Sequence, residues 1–251
     1  MIGLFDSGVG GLFTLRTLRR RLPRADLIYF GDTRHLPYGE KTQEEILSFA
    51  RAGARFLTAQ GAGAVLFACG TAGSIALPTL RGELEVPLCG TPVPTAAAAA
   101  AAYRGGRILL LATKATVRAG RLAYLLEKAC RAPVEALACP QLVEMAEAGA
   151  ENGTDEGRLE ALLTPYRAAP PGMIVLGCTH FSYFAPTIRR LSPSAVLVDS
   201  AVEAARAAAR ALPPSLFEGQ GRCCLWASGD ADDFARRAHA ILGEPIPVYP
   251  M

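Results

Sequence analysis

Short apolar runs alternate along the chain with amphipathic stretches, in the repeating order strand, polar turn, helix. Ile2 to Phe5, Leu27 to Phe30, Ala64 to Ala68, Val86 to Cys89, Arg107 to Ala112, Val134 to Ala138, the run up to Cys178, Ala195 to Val198 and Leu225 to Ser228 read as strands. Their nearly continuous apolar character suits strands covered on both faces, so the expected class is α/β with parallel sheets. Between them lie helical patterns from Leu12 to Leu22, Gln43 to Ala59, Thr95 through the alanine run, Arg118 to Ala132, Arg158 to Ala168, Ser200 to Leu212 and Asp230 to Leu242. A further helix contains Glu144 and Glu147, and Gly149 to Gly157 reads as a polar loop. Thr42 with Glu45, and Ser200 with Glu203, form capping-box patterns that fix two helix starts. The two prolines in Thr91-Pro92-Val93-Pro94 predict a rigid crossing between two halves, and Pro213-Pro214 reads as a linker.

The halves resemble one another. Ile2-Gly3-Leu4-Phe5-Asp6-Ser7 lies 106 positions before Ile108-Leu109-Leu110-Leu111-Ala112-Thr113, and Cys69 lies 109 before Cys178. These near-equal offsets predict two halves with the same topology, with the switch between them at Thr95.

Composition changes this picture little but narrows the function. A chain of 251 residues, half of them hydrophobic, buries a substantial core. The net charge is only +3, and the dense cluster Arg16, Arg19, Arg20, Arg21 and Arg24 has helical spacing without interleaved aromatics. It reads as a solvated helix face, so no nucleic-acid partner is expected. No stretch is long and apolar enough to span a membrane, and Met1 to Phe5 meets Asp6 without a signal-peptide pattern. A cytoplasmic location is expected, with the seven cysteines as free thiols. Cys89, inside an apolar strand, is expected in the core, while Cys130, Cys139, Cys223 and Cys224 show no pairing logic.

Two segments carry the candidate chemistry. In Val65-Leu66-Phe67-Ala68-Cys69-Gly70-Thr71 and Ile174-Val175-Leu176-Gly177-Cys178-Thr179-His180, an apolar strand stops at a cysteine followed by threonine and a helix start. Ligands in open α/β sheets bind at the carboxyl ends of strands, so each half offers one thiol where chemistry happens. Either cysteine alone reads as a buried apolar thiol; the pair suits removal of a proton from one face of a carbon and its return to the other. Asp6 is a candidate to orient or deprotonate one thiol, and His180, held by Glu147, to serve the other. The glycine-rich turn Asp6-Ser7-Gly8-Val9-Gly10-Gly11 suits a carboxylate at a helix start, or is simply a tight turn. Pro37-Tyr38-Gly39 is a second strand-end loop that can shape a pocket through its backbone donors and phenol, or is simply a turn; His180 reads as a site residue because it lies two residues after Cys178, and His35 and His239 lack such company. Zinc held by Cys69, Cys178 and His180 is disfavoured by the absence of C-x-x-C or H-x-x-x-H spacing, so no metal is expected. A Cys-His-Asp hydrolase would leave one cysteine without a role.

Taken together, Ile2 to Gly11, Gly31 to Lys41, Ala68 to Ser74, Ala138 to Gly149, Leu176 to Phe181 and Val198 to Ala201 resemble, in order, segments of the glutamate racemases of the aspartate/glutamate racemase superfamily. The resemblance implies two similar doubly wound parallel-sheet α/β domains related by a pseudo-twofold, with the active site between them and the C-terminal segment returning to the first, so that the first takes residues 1–94 with 208–251 and the second 95–207. It implies Cys69 and Cys178 as acid/base residues assisted by Asp6, Glu147 and His180. Substrate-pocket positions are Asp6, Ser7, Pro37, Tyr38, Gly39, Cys69, Gly70, Thr71, Cys178, Thr179 and His180. It further implies an amino-acid substrate, no cofactor, D-glutamate supply for peptidoglycan and the cell wall, and a homodimer. Two segments depart from the pattern: Gly70 stands where the family has a substrate-contacting asparagine, and Thr91 to Pro94 differs at the crossing. The first departure leaves room for aspartate or another amino acid as substrate, or for a two-lobed binding protein without catalysis.

Overall fold

A computed structural model describes residues 1–149 and 154–251. In chain order the elements are β1 (Ile2–Asp6), α1 (Leu12–Arg21), β2 (Leu27–Gly31), α2 (Gln43–Ala59), β3 (Val65–Phe67), α3 (Gly70–Ile75), α4 (Leu77–Leu80), β4 (Leu88–Gly90), α5 (Pro92–Ala102), β5 (Ile108–Ala112), α6 (Lys114–Ala119) and α7 (Arg121–Cys130). They continue as β6 (Val134–Ala138), α8 (Pro140–Glu147), α9 (Thr154–Leu163), β7 (Met173–Leu176), α10 (Ala185–Leu191), β8 (Val196–Asp199), α11 (Ser200–Ala211), β9 (Cys223–Ala227), α12 (Ala231–Leu242) and β10 (Val248–Pro250).

The strands form two parallel sheets. One has the order β10-β9-β2-β1-β3-β4 and the other β6-β5-β7-β8. The four-strand order β2-β1-β3-β4 of the first is repeated as β6-β5-β7-β8 in the second, so Cys69 after β3 and Cys178 after β7 leave equivalent strands. Both faces of each sheet are covered, which explains the continuous apolar runs. In β1, Ile2 and Leu4 join a core with α1, α11 and α12, whereas Phe5 points to the opposite core with α2, α3 and α4. In β5, Leu109 and Leu111 pack towards α8 and α10, and Ile108 and Leu110 towards α5 and α7.

Several local expectations shift. The helix expected from Thr95 starts three residues earlier: Pro92 and Pro94 occupy the first turn of α5, where a missing N–H costs no helix bond, and the alanine run continues the same helix. The helix expected from Arg118 to Ala132 is two helices, because Gly120 adopts φ 66° between α6 and α7. The Thr42–Glu45 capping box forms on α2, but α11 is capped one residue earlier than expected. The Asp199 carboxylate accepts from the Ala201 amide there, and the Ser200 hydroxyl is buried without a partner. Of the polar loop expected over Gly149 to Gly157, residues 150–153 lie outside the described residues, and α9 already starts at Thr154. That helix ends at Leu163 in a 3-10 turn, Thr164–Tyr166, short of Ala168. The chain after Cys178 runs through a 3-10 turn, Thr179–Phe184, before α10. The supposed linker contains a 3-10 turn, Pro214–Leu216. Strand β4 lies two residues later than expected at its start, on a sheet edge, so Cys89 is half-buried rather than in the core. Strand β10, pairing with β9, has no counterpart in the sequence reading. The arginine face of α1 is partly engaged: Arg16 donates to the Ile241 carbonyl at 2.8 Å, and Arg19 pairs with Glu244 at 2.5 Å.

Candidate active site

In each sheet the chain leaves the first strand to one side and the third to the other, which opens a crevice at their carboxyl ends. The loops after β1 and β3 carry Ser7 and Cys69, and those after β5 and β7 carry Thr113 and Cys178. All four residues line one cleft of about 530 Å³, part of it open to solvent, together with Pro37, Tyr38, Gly39, Thr71, Thr179 and His180. Both thiols are buried, 4% and 5% exposed, and lie near enough for Cys178 to act electrostatically on Cys69.

The two sulfurs have unlike neighbours. Cys69 Sγ stands 3.7 Å from the Ser7 hydroxyl and accepts from the Ala72 amide at 3.5 Å. Burial nevertheless pushes the Cys69 thiol up to about 12, with the Asp6 carboxylate adding to the effect. Cys178 Sγ instead stands 3.7 Å from His180 Nδ1. The other ring nitrogen, Nε2, meets Glu147 Oε1 at 2.5 Å. Burial works against a charged imidazole, but the bonds to Cys178 and Glu147 outweigh it and hold His180 well above its ordinary value. Burial also opposes the Glu147 charge, yet His180 and Arg237 keep its carboxyl below the usual range. Arg237, on α12, donates from Nη1 to Glu147 Oε2 at 2.8 Å and also to the Glu147 carbonyl.

Asp6 is fully buried, and burial raises its carboxyl to about 6. It does not touch a thiol. Its Oδ1 accepts from the Gly8 amide at 3.0 Å and its Oδ2 from the Thr179 hydroxyl at 3.1 Å. The glycine turn thus spends one amide on its own aspartate, and the bond to Thr179 ties the two sheets together. A second tie joins the Thr71 and Thr113 hydroxyls at 2.9 Å, with Thr116 donating to Thr71 at 3.3 Å.

Not every expected residue faces the cleft. Gly70 is buried and is not among the cleft-lining residues, while Asp6 and Glu147 stand behind the wall. Tyr38 lines the cleft, but its phenol is committed to Asp32 at 2.6 Å. His35, which is not among the cleft-lining residues, lies 2.9 Å from Asp32 and stacks on Phe49 at 3.9 Å. Thr113, Lys114, Pro140, Val143 and Glu144 also line the cleft. The equivalence of β1 with β5 pointed to Thr113; nothing in the sequence singled out the others or Arg237. Among the described residues, no three or more His, Cys, Asp or Glu side chains are grouped to hold a metal ion, and no helix is long and apolar enough to cross a membrane.

Comparison with known proteins agrees with this geometry. The glutamate racemase of Desulforudis audaxviator is 40% identical over 98% of this chain and 96% of its own length. The crystal structure of the Thermus thermophilus glutamate racemase in complex with beta-chloro-D-alanine superposes with a TM-score of 0.85 at 37% identity, covering 100% of this chain and 96% of that one. A glutamate racemase isoform of Bacillus anthracis gives 0.93 at 28% identity, covering 100% and 97%. Residues 14–208 match the Asp/Glu/Hydantoin racemase family, and this chain, with a cysteine at the end of each of two equivalent strands, belongs to it.

Proposed function

We propose that this chain interconverts L- and D-glutamate by moving the Cα proton between Cys69 and Cys178, without a cofactor. The observation that carries the reading is the pair of sulfurs lining one cleft from equivalent strand ends. Full-length similarity to glutamate racemases, one of them bound to an amino-acid-like ligand, supports the substrate class.

Cys69, with its thiol raised to about 12, is the resting proton donor. In one direction Cys178, as thiolate, takes the Cα proton, and the Cys69 S–H bond breaks to deliver a proton to the opposite face. Cys178 ends as thiol and Cys69 as thiolate, and the reverse direction exchanges the roles. His180, held by Glu147, positions and electrostatically supports Cys178. Asp6 keeps a negative charge near Cys69 and holds Thr179. Ser7, Pro37, Tyr38, Gly39, Thr71 and Thr179 form the substrate wall. The cleft joins two units, residues 1–94 with 208–251 and residues 95–207. The setting of this activity is the cytoplasm, where a homodimer supplies D-glutamate for peptidoglycan.

Incubation with L-glutamate in D₂O tests the reading. Deuterium at Cα and loss of optical rotation are expected, with turnover abolished in Cys69→Ser and in Cys178→Ser. Normal turnover in both variants removes the mechanism. Tight glutamate binding without isotope exchange would identify a binding protein instead.

A further inference from the structure

Gly70 immediately follows Cys69 and opens α3, where the family pattern has asparagine. A Cβ at this position would stand 2.2 Å from the Gly177 carbonyl oxygen and 3.6 Å from Cys178 Cα. The obstructing atom is backbone at the end of a central strand, so it cannot turn aside as a flexible side chain would. Gly177 is itself pinned, since a Cβ there would meet Leu110 at 2.8 Å and the Leu111 carbonyl at 3.1 Å. The same closeness recurs along the seam. A Cβ at Gly10 would lie 2.6 Å from Thr179 Oγ1 and 2.7 Å from His180 Nδ1, and one at Gly8 would lie 2.6 Å from Glu147 Oε1.

The missing asparagine side chain therefore leaves no hole beside the substrate. Gly70 does not line the cleft, and its vacated space is filled by the backbone that carries Cys178. We propose that Gly70 is a positioning residue: its bare Cα is the stop against which the Cys178 segment rests, and it sets the separation of the two sulfurs. The Gly177 carbonyl occupies the space a Cβ would need, so placing asparagine at position 70 harms this protein rather than improving it.

The kinetic consequence rests on the two-cysteine reading; the geometric one does not. The test compares wild type with Gly70→Ala, Gly70→Asn and a control, Gly73→Ala. The control adds a methyl to the same helix but meets only Thr91 and Pro92, at 3.1 and 3.2 Å. Alkylation of Cys69 and Cys178 by iodoacetamide, read peptide by peptide, is expected to quicken several-fold in both Gly70 variants and to stay at the wild-type rate in the control. In glutamate racemisation kcat is expected to fall by about 100-fold, the cost of a displacement near 1 Å, with KM changing less. Alkylation at the wild-type rate in folded Gly70 variants, or an equal rise in the control, overturns the proposal. So does Gly70→Asn racemising glutamate as fast as wild type. If neither Gly70 variant folds, a crystal structure of the wild-type protein decides: room for a Cβ at Gly70 beside the Gly177 carbonyl oxygen overturns the proposal, and the same close approach upholds it. Quickened alkylation in a chain whose wild type does not exchange the glutamate Cα proton refutes the proposed function and leaves the stop standing.

Discussion

Glu147 Oε1 lies 2.5 Å from His180 Nε2, on the side of the ring opposite Cys178, so one carboxylate fixes which ring nitrogen faces the sulfur. Glu147→Gln keeps the shape and removes the charge. Turnover is expected to drop by about tenfold or more, as for other orienting carboxylates. Stability carries a second signature. A raised histidine contributes stability that is full below its unfolded value of 6.5 and lost as pH climbs through the folded one. Denaturant titrations between neutral and alkaline pH should show that loss ending at lower pH, and smaller in total, in the variant.

Asp6 behaves in the opposite sense. Its carboxyl, raised by burial to about 6, costs the folded state stability that disappears as pH rises from about 4 to about 6. Asp6→Asn can keep the bonds to Gly8 and Thr179 without the charge. It should be more stable than wild type by about 3 kcal/mol above pH 6 and equal to it near pH 3, by chemical denaturation. Racemase activity is expected to fall in the same variant.

The Cys69 thiol should resist alkylation at neutral pH and gain reactivity about tenfold per pH unit, because only the thiolate attacks. Removing the Asp6 charge should quicken its alkylation at fixed pH. An equal rate in wild type and Asp6→Asn would show that the carboxylate does not act on this sulfur.

Arg237 is 90 residues from Glu147 in sequence and pairs with it across the seam. Arg237→Leu should lower kcat by about tenfold with a smaller change in KM, and should move the acid limb of the pH–rate profile upwards as Glu147 loses a neighbouring cation. A variant that alters only thermal stability would make the arginine structural.

Gly120 separates α6 from α7 in the left-handed region, at φ 66°. Gly120→Ala should cost about 1 kcal/mol, measured as a lower denaturation midpoint at unchanged slope.

Much of this architecture was legible because parallel strands buried on both faces leave unbroken apolar runs, and because the Cys69 and Cys178 segments occupy repeated places in them. Strand β10 escaped notice: it is three residues long, lies at a sheet edge and contains Pro250. The break at Gly120 was hidden by helix formers on either side, and the Asp199 cap by a neighbouring serine with the right spacing. Arg237 sits on an amphipathic helix far along the chain, and only the tertiary fold brings it to Glu147. Gly70 was legible as a departure from a pattern. Its consequence was not, since the atom that fills its space comes from the other sheet.

The unlike surroundings of the two sulfurs meet a thermodynamic constraint. Mirror-image amino acids have equal free energies in water, so a racemase that handles them must run with the same kcat/KM from either enantiomer, however lopsided its cleft. A histidine beside Cys178 and an aspartate behind Cys69 can therefore favour one hand only in how tightly it is held, and whatever is gained in affinity must be surrendered in turnover.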